Sequence, residues 1–328
     1  MSKEELKTMD EKKPARANSW WRVLLTGLML YGAGILILIL TGNPNLFPTV
    51  VMLGSFLVPI TYVAFFYERR SLSKLTLPVT AMGFLYGGVL GVLAASLLEP
   101  ILVGQLSPSS VFVVGLIEEF AKIIGVLVIA RRWRHDAEMD GLILGAAAGM
   151  GFAALESSGY AFTAFLRSGG SLSLTVGVIL LRGLLSPIGH GTWTAILASV
   201  LFRESGEKRF RIDRKVIAAY LTVSILHGLW DGLPQVIATL LSPGLDVFIG
   251  QAIVGGAGLL ILWKQYREAK RRQLIQFVLQ QKEAGPLPGS GLEAGSQDLP
   301  LPEAMVQVEP PENAEPDFRE PEEEIKTL

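Results

Sequence analysis

The sequence predicts an all-α fold: a polytopic membrane helix bundle of about eight transmembrane helices, followed by a disordered C-terminal tail. Three observations predict it. Half of the 328 residues are hydrophobic and the mean hydropathy is positive, which is the composition of the membrane class. The apolar residues gather in runs long enough to cross a hydrocarbon core about 30 Å thick, which takes about 20 residues of helix. The Lys and Arg residues fall in alternate connections between those runs, as the positive-inside rule requires.

In order, the spans are expected at about Val23–Leu40, Val50–Phe66, Leu77–Leu98, Val111–Ala130, Gly141–Phe165, Leu172–Phe202, Val216–Leu240 and Leu245–Trp263. Residues 1–22 form an N-terminal arm carrying Lys3, Lys7, Lys12, Lys13, Arg16 and Arg22. The connections after spans two, four and six are basic, with Arg69 and Arg70, Arg131 and Arg132, and Arg203 to Lys215. Those after spans one, three, five and seven hold only Arg167. This alternation implies a multi-pass protein of the plasma membrane with both termini cytoplasmic. It survives only if the sixth span, which contains Pro187, crosses once as a kinked or re-entrant segment. The arm is long and acid-containing and no small-x-small site follows the first apolar run, so that run reads as a retained span and not a signal peptide.

Beyond the eight-span domain (23–263), residues 264–281 mix Lys and Arg with Leu, Ile, Phe and Val. They read as a basic amphipathic helix lying on an anionic lipid surface. Residues 282–328, rich in Pro, Glu and Gly, read as a disordered acidic tail. There is no cysteine, which excludes disulfides, thiolate metal sites and cysteine nucleophiles. No nucleic-acid partner is expected. The lipid bilayer is the evident partner, and the oligomeric state is not readable.

The informative residues are the ionisable ones inside apolar runs. Each costs roughly 2.5–3.5 kcal/mol at the centre of a bilayer on insertion scales, so their accumulation marks a functional site. Span four carries Glu118 and Glu119 with Lys122, span five Glu156, span six Arg182 and His190, and span seven His227 and Asp231. Glu118 and Lys122, four apart, share a helix face, whereas Glu119 is turned by about 100°. Two adjacent carboxylates in a low dielectric oppose each other's ionisation, a pairing suited to general acid/base work. Gly83, Gly87 and Gly91 on span three, and Gly141, Gly145 and Gly149 on span five, form small-residue faces for close packing. The second face runs on through Phe152 to Glu156, which directs Glu156 into the bundle. His227 and Asp231 share a face, so Asp231 can orient the imidazole or join it on a metal or substrate. At 1.5 Å per residue these groups fall in one band, the middle to outer part of the membrane.

These residues allow three kinds of function. One is hydrolysis in a wet intramembrane pocket, with Glu118, Glu119, Glu156, His190, His227 and Asp231 as the catalytic set. A zinc ion on His190, His227 and Glu156 would serve it, although a metal-free glutamate mechanism is equally open. The second is a proton- or ion-coupled transporter, which also uses chains of acids and histidines. The third is a non-catalytic membrane scaffold.

Glu118-Glu119-x-x-Lys122, Phe152-x-x-x-Glu156, His190 in a Pro-x-x-His setting and His227-x-x-x-Asp231 occur in order. In this the chain resembles the PrsW family of intramembrane proteases, a relative of the CPBP group that includes the CAAX prenyl endopeptidases. The resemblance covers residues 111–240, the protease core. It implies cleavage of a peptide bond in a membrane-protein substrate, such as an anti-sigma-factor-like signalling protein. It also implies Glu118 and Glu119 at the catalytic centre with Glu156, His190 and His227 beside them. The wider group ends its second motif in His where this chain has Glu156, so a prenylated substrate is less expected.

Overall fold

The computed structural model describes residues 19–70, 73, 75–103, 110–131, 137–206, 209–238 and 245–283. The described residues up to 279 form one compact unit. Among the described residues the regular structure is helical throughout: α1 (Ser19–Thr41), α2 (Phe47–Glu68), α3 (Leu77–Leu102), α4 (Ser110–Ala130), α5 (Glu138–Arg167), α6 (Leu172–Leu185), α7 (His190–Glu204), α8 (Arg214–Ala238) and α9 (Leu245–Glu283). Short 3-10 turns lead into α2 (Pro44–Leu46) and join α6 to α7 (Ser186–Ile188).

Seven of these segments are long and apolar enough to cross a membrane, with α6, the turn and α7 counting as one. The eighth expected span, α4, has the length at 21 residues but carries Glu118, Glu119 and Lys122. Burial accounts for the exception, because all three of those side chains point inside the protein. Large apolar side chains such as Leu28, Leu40, Leu93 and Leu184 are exposed on the outside, the arrangement lipid demands of a multi-pass protein.

Two expected boundaries move. Helix α1 starts at Ser19, inside the stretch assigned to the arm. Ser19 and Trp20 both donate to Glu68 Oε1, the latter at 2.6 Å, and the Trp20 ring packs edge-on against Phe65 at 5.7 Å. At the other end α9 runs unbroken through the basic stretch 264–281 and takes in Lys282 and Glu283, which composition alone gave to the tail. The remainder of the arm (1–18) and of the tail (284–328) lies outside the described residues. The basic part of α9 also makes specific contacts. Gln265 accepts from Ser199 Oγ at 2.7 Å, and Arg272 Nε lies 3.3 Å from the buried Glu138 carboxylate.

Helix α5 is the axis of the bundle, continuously buried from Glu138 to Ala154. Its small residues make that possible. A Cβ on Gly141 would meet Ala198, on Gly145 Thr194 and Ala195, and on Gly149 His190. Since α5 rises as α7 descends, the two run antiparallel. The same path continues into α6, where Arg182 reaches Glu156 and Ser157. Span six therefore follows α5 as a single antiparallel line, broken but not reversed at Pro187. On the opposite side Gly83 faces Leu144, Gly87 faces Ala148 and Gly91 faces Phe152, so α3 runs parallel to α5. These directions are those of successive crossings.

The tightest approach is between α3 and α5. A Cβ on Gly88 would sit 2.6 Å from the Gly151 backbone, and one on Gly151 would collide with the Phe84 carbonyl oxygen. Backbone on both sides leaves nothing to move. Gly151→Ala is therefore expected to destabilise the detergent-solubilised protein by about 1–3 kcal/mol, the usual cost of overpacking. Gly159→Ala, on the same helix with open space around it, is expected to be neutral or slightly stabilising. Paired thermal melts check this contrast.

Candidate active site

Five helices deliver the ionisable side chains to one place. Helix α4 supplies Glu118, Glu119 and Lys122, all buried. Helix α5 supplies Glu156, one turn beyond Phe152. The α6–α7 segment supplies Arg182 before its break and His190 immediately after it. The break is closed by Thr192, whose hydroxyl donates to the Pro187 carbonyl at 2.7 Å. Helix α8 supplies His227 and Asp231. Gly115 allows α8 to lie directly on α4, since a Cβ there would meet the Ser224 carbonyl at 2.6 Å.

The Lys122 ammonium has three N–H bonds and three acceptors: Glu119 Oε1 at 2.8 Å, His190 Nδ1 at 2.9 Å and Glu118 Oε2 at 3.0 Å. It also lies 4.1 Å from the centre of the Phe152 ring. Sequence spacing assigned Lys122 to Glu118 and turned Glu119 elsewhere. The long lysine stem reaches both, because i to i+3 and i to i+4 neighbours both lie within its swing.

The two histidines are held in matching ways. His190 turns Nε2 to Glu156 Oε2 at 3.1 Å, and the same oxygen receives Arg182 Nη2 at 2.7 Å. His227 turns Nδ1 to Glu119 Oε1 at 3.1 Å, the oxygen that also receives Lys122. In the neutral tautomer that puts the proton on the nitrogen nearest its carboxylate, the other nitrogen keeps its lone pair. Those lone-pair atoms, His190 Nδ1 and His227 Nε2, lie 4.0 Å and 3.5 Å from Glu118 Oε2. The two rings stand 5.2 Å apart, near perpendicular, and Trp193 packs against both, 4.7 Å from His227 and 5.4 Å from His190. Thr194 Oγ1 donates to the second oxygen of Glu119 at 3.2 Å.

Glu118, His190 and His227 can thus each offer one atom to a common ion, all within 4.8 Å of one another. They face a cavity of about 460 Å³ inside the bundle. Glu156, Arg182 and Asp231 line it as well, whereas Glu119 and Lys122 stand behind the wall. Asp231 Oδ2 is 3.7 Å from His227 Nε2, too long for a hydrogen bond, and its side chain is more than a third exposed. The orienting contact expected of Asp231 is made by Glu119.

All six residues expected at the site are therefore brought together. Three that spacing did not single out join them: Glu99, Tyr160 and Trp230 line the cavity. Glu99 had a visible signal, an acid in the last turn of an apolar span. Tyr160 lies one turn beyond Glu156 and stacks on Arg182 at 4.0 Å, and neither it nor Trp230 differs in sequence from ordinary helix packing.

A buried carboxylate and two imidazoles, facing a cavity in a helical membrane bundle, form a group that could hold a metal ion. A family model described as the PrsW family intramembrane metalloprotease matches residues 76–258, more than half of the chain. The chain belongs to the PrsW family. The match includes every residue of the site and sides with the enzyme over the transporter and the scaffold. No curated protein and no solved structure matches the chain.

Removing one member of a compensated buried charge group exposes the cost of the others. Glu119→Ala takes from Lys122 its shortest contact and from His227 its orienting partner. Its expected effect is a loss of about 3–5 kcal/mol of stability, the usual penalty for an uncompensated buried charge. Chemical unfolding in detergent measures it. Lys122→Ala combined with Glu119→Ala should cost less than the two single changes added together.

Proposed function

We propose that this protein hydrolyses a peptide bond of another membrane protein at the cavity, on the outer side of the bilayer midplane. The observation that carries the reading is the convergence of Glu118, His190 and His227 at the wall of the cavity inside the bundle. One carboxylate oxygen and two imidazole nitrogens, each nitrogen backed by its own carboxylate, form the donor set that zinc takes in catalytic sites, with a further position open. Glu118 Oε2, His190 Nδ1 and His227 Nε2 are the proposed ligands, and Glu156 stands behind His190 as its orienting group. These residues would hold zinc, which would supply Lewis-acid chemistry toward a carbonyl oxygen and toward water.

The remaining residues bind and move protons. Asp231, on the open side of the cavity and 3.7 Å from His227 Nε2, is placed to take the proton from the attacking water at Oδ2 and return it to the leaving amine. Arg182, fixed by Glu156 and Ser157 and stacked on Tyr160, lines the cavity, where its guanidinium is placed to meet a substrate carbonyl. The substrate class that fits is a membrane-spanning or membrane-adjacent segment unwound at the cavity, with an anti-sigma-factor-like single-span protein as the signalling example. The alternation of basic connections supports cytoplasmic termini, and a plasma-membrane location goes with that reading.

Two experiments test this. In the purified protein Glu118→Gln should lose both zinc and cleavage, while Asp231→Asn should keep zinc and lose about 10²–10⁴ in kcat. Cleavage that survives Glu118→Gln sinks the proposal. For orientation, the absence of native cysteine makes single-cysteine labelling clean. An impermeant maleimide applied to intact cells should modify Ser173→Cys at the start of α6 and spare Gly206→Cys beyond α7.

A further inference from the structure

We propose that Lys122 is a resident counter-ion that competes with the metal for its own ligands, so that the site exchanges between a lysine-filled and a metal-filled state. The inference rests on the ligand assignment above. Two of the three acceptors of the Lys122 ammonium, Glu118 Oε2 at 3.0 Å and His190 Nδ1 at 2.9 Å, are two of the three proposed metal ligands. The competition is strict at His190. An imidazole nitrogen has one lone pair, and with Nε2 committed to Glu156 at 3.1 Å, Nδ1 serves either the ammonium or a metal, never both.

Lys122 cannot simply leave for solvent. Its side chain is fully buried, its stem packs beside Gly91 of α3, and its ammonium rests on the Phe152 ring at 4.1 Å. When a metal enters, the ammonium retains Glu119 and gives up the other two acceptors. A unit positive charge then stays close to a divalent ion in a low dielectric, which lowers metal affinity. The same charge makes the metal-free bundle tenable. Without it Glu118 and Glu119 would be buried side by side, with Glu156 close by, before any metal arrived. Lys122 thus lets the protein fold and insert empty and take its metal afterwards.

Cobalt(II) is the probe, because its visible absorption reports nitrogen and oxygen ligation independently of cleavage. The full chain in detergent micelles is titrated as wild type and as Lys122→Met. The expected result is Co(II) affinity raised about tenfold or more in Lys122→Met, with a metal-free protein that melts lower than wild type and recovers on adding Co(II). A variant that folds only with Co(II) present supports the proposal equally. Unchanged or weaker affinity in a folded Lys122→Met overturns it. Should that variant fold in neither state, Phe152→Leu decides. Loosening the ammonium there should raise Co(II) affinity in the same direction by a smaller factor, and no rise overturns the proposal. His190→Ala separates the two readings: if it leaves wild-type Co(II) binding intact, the ligand assignment itself has failed.

Discussion

Hydrocarbon offers no water to solvate a charge, so each ionisable group that α4 to α8 carry into the membrane has to be matched by another group of the protein. The matching here is organised as two chains of the same form, cation to carboxylate to imidazole: Arg182 to Glu156 to His190, and Lys122 to Glu119 to His227. Each chain compensates a buried carboxylate and fixes an imidazole in one orientation. Glu118 lies between them, sharing the Lys122 ammonium and facing the second nitrogen of each ring. Together with Asp231 and Glu99, the carboxylates around the cavity outnumber the two cations. A divalent ion bound there would help to neutralise that excess of carboxylates.

Such precision depends on backbones lying close together. The glycines and alanines of α5 let α3 and α7 approach almost to backbone contact, so that side chains projecting from α4 and α8 span only short distances to meet Glu156 and His190. The break at Ser186–Ile188 has its own part. A continuous helix would carry His190 round by about 100° per residue from Arg182. The 3-10 turn and Gly189 reset that phase, and both residues meet Glu156 Oε2. The frayed backbone is tolerable because it is enclosed by protein and its Pro187 carbonyl is satisfied by Thr192.

Much of this was legible in the sequence, for reasons that can be stated. The spans were readable because a bilayer fixes helix length, and the six site residues because charge in hydrocarbon is expensive. The agreement of their depths, counted along each helix, anticipated their meeting. Less legible was everything that depends on how far a side chain reaches. Helical phase separates Glu119 from Glu118, yet Lys122 gathers both. Spacing on α8 suggested Asp231 as the partner of His227, whereas the contact comes from α4, at a distance no single-helix argument can supply. Glu156 was read as a metal ligand, and the structure puts its carboxylate on the far nitrogen of His190 with Arg182 in attendance.

Hydrolysis inside a membrane needs water as much as it needs a base, and the lining of the cavity indicates how water is admitted. The deep end is built from Glu118 and the two imidazoles, closed behind by the aromatic faces of Phe152 and Trp193. Toward the ends of α3, α5 and α8 the wall changes to Ser96, Glu99, Tyr160, Asp231 and Gln235, with Tyr160 and Asp231 exposed. A graded polar wall of this kind offers hydrogen-bond partners to water from the rim to the site. Leu142, Ile143 and the alanines of α5 make the neighbouring core of the bundle apolar. Glu99 stands with the polar groups of the rim. Water and substrate entering along this lining would meet the imidazoles without crossing the apolar packing.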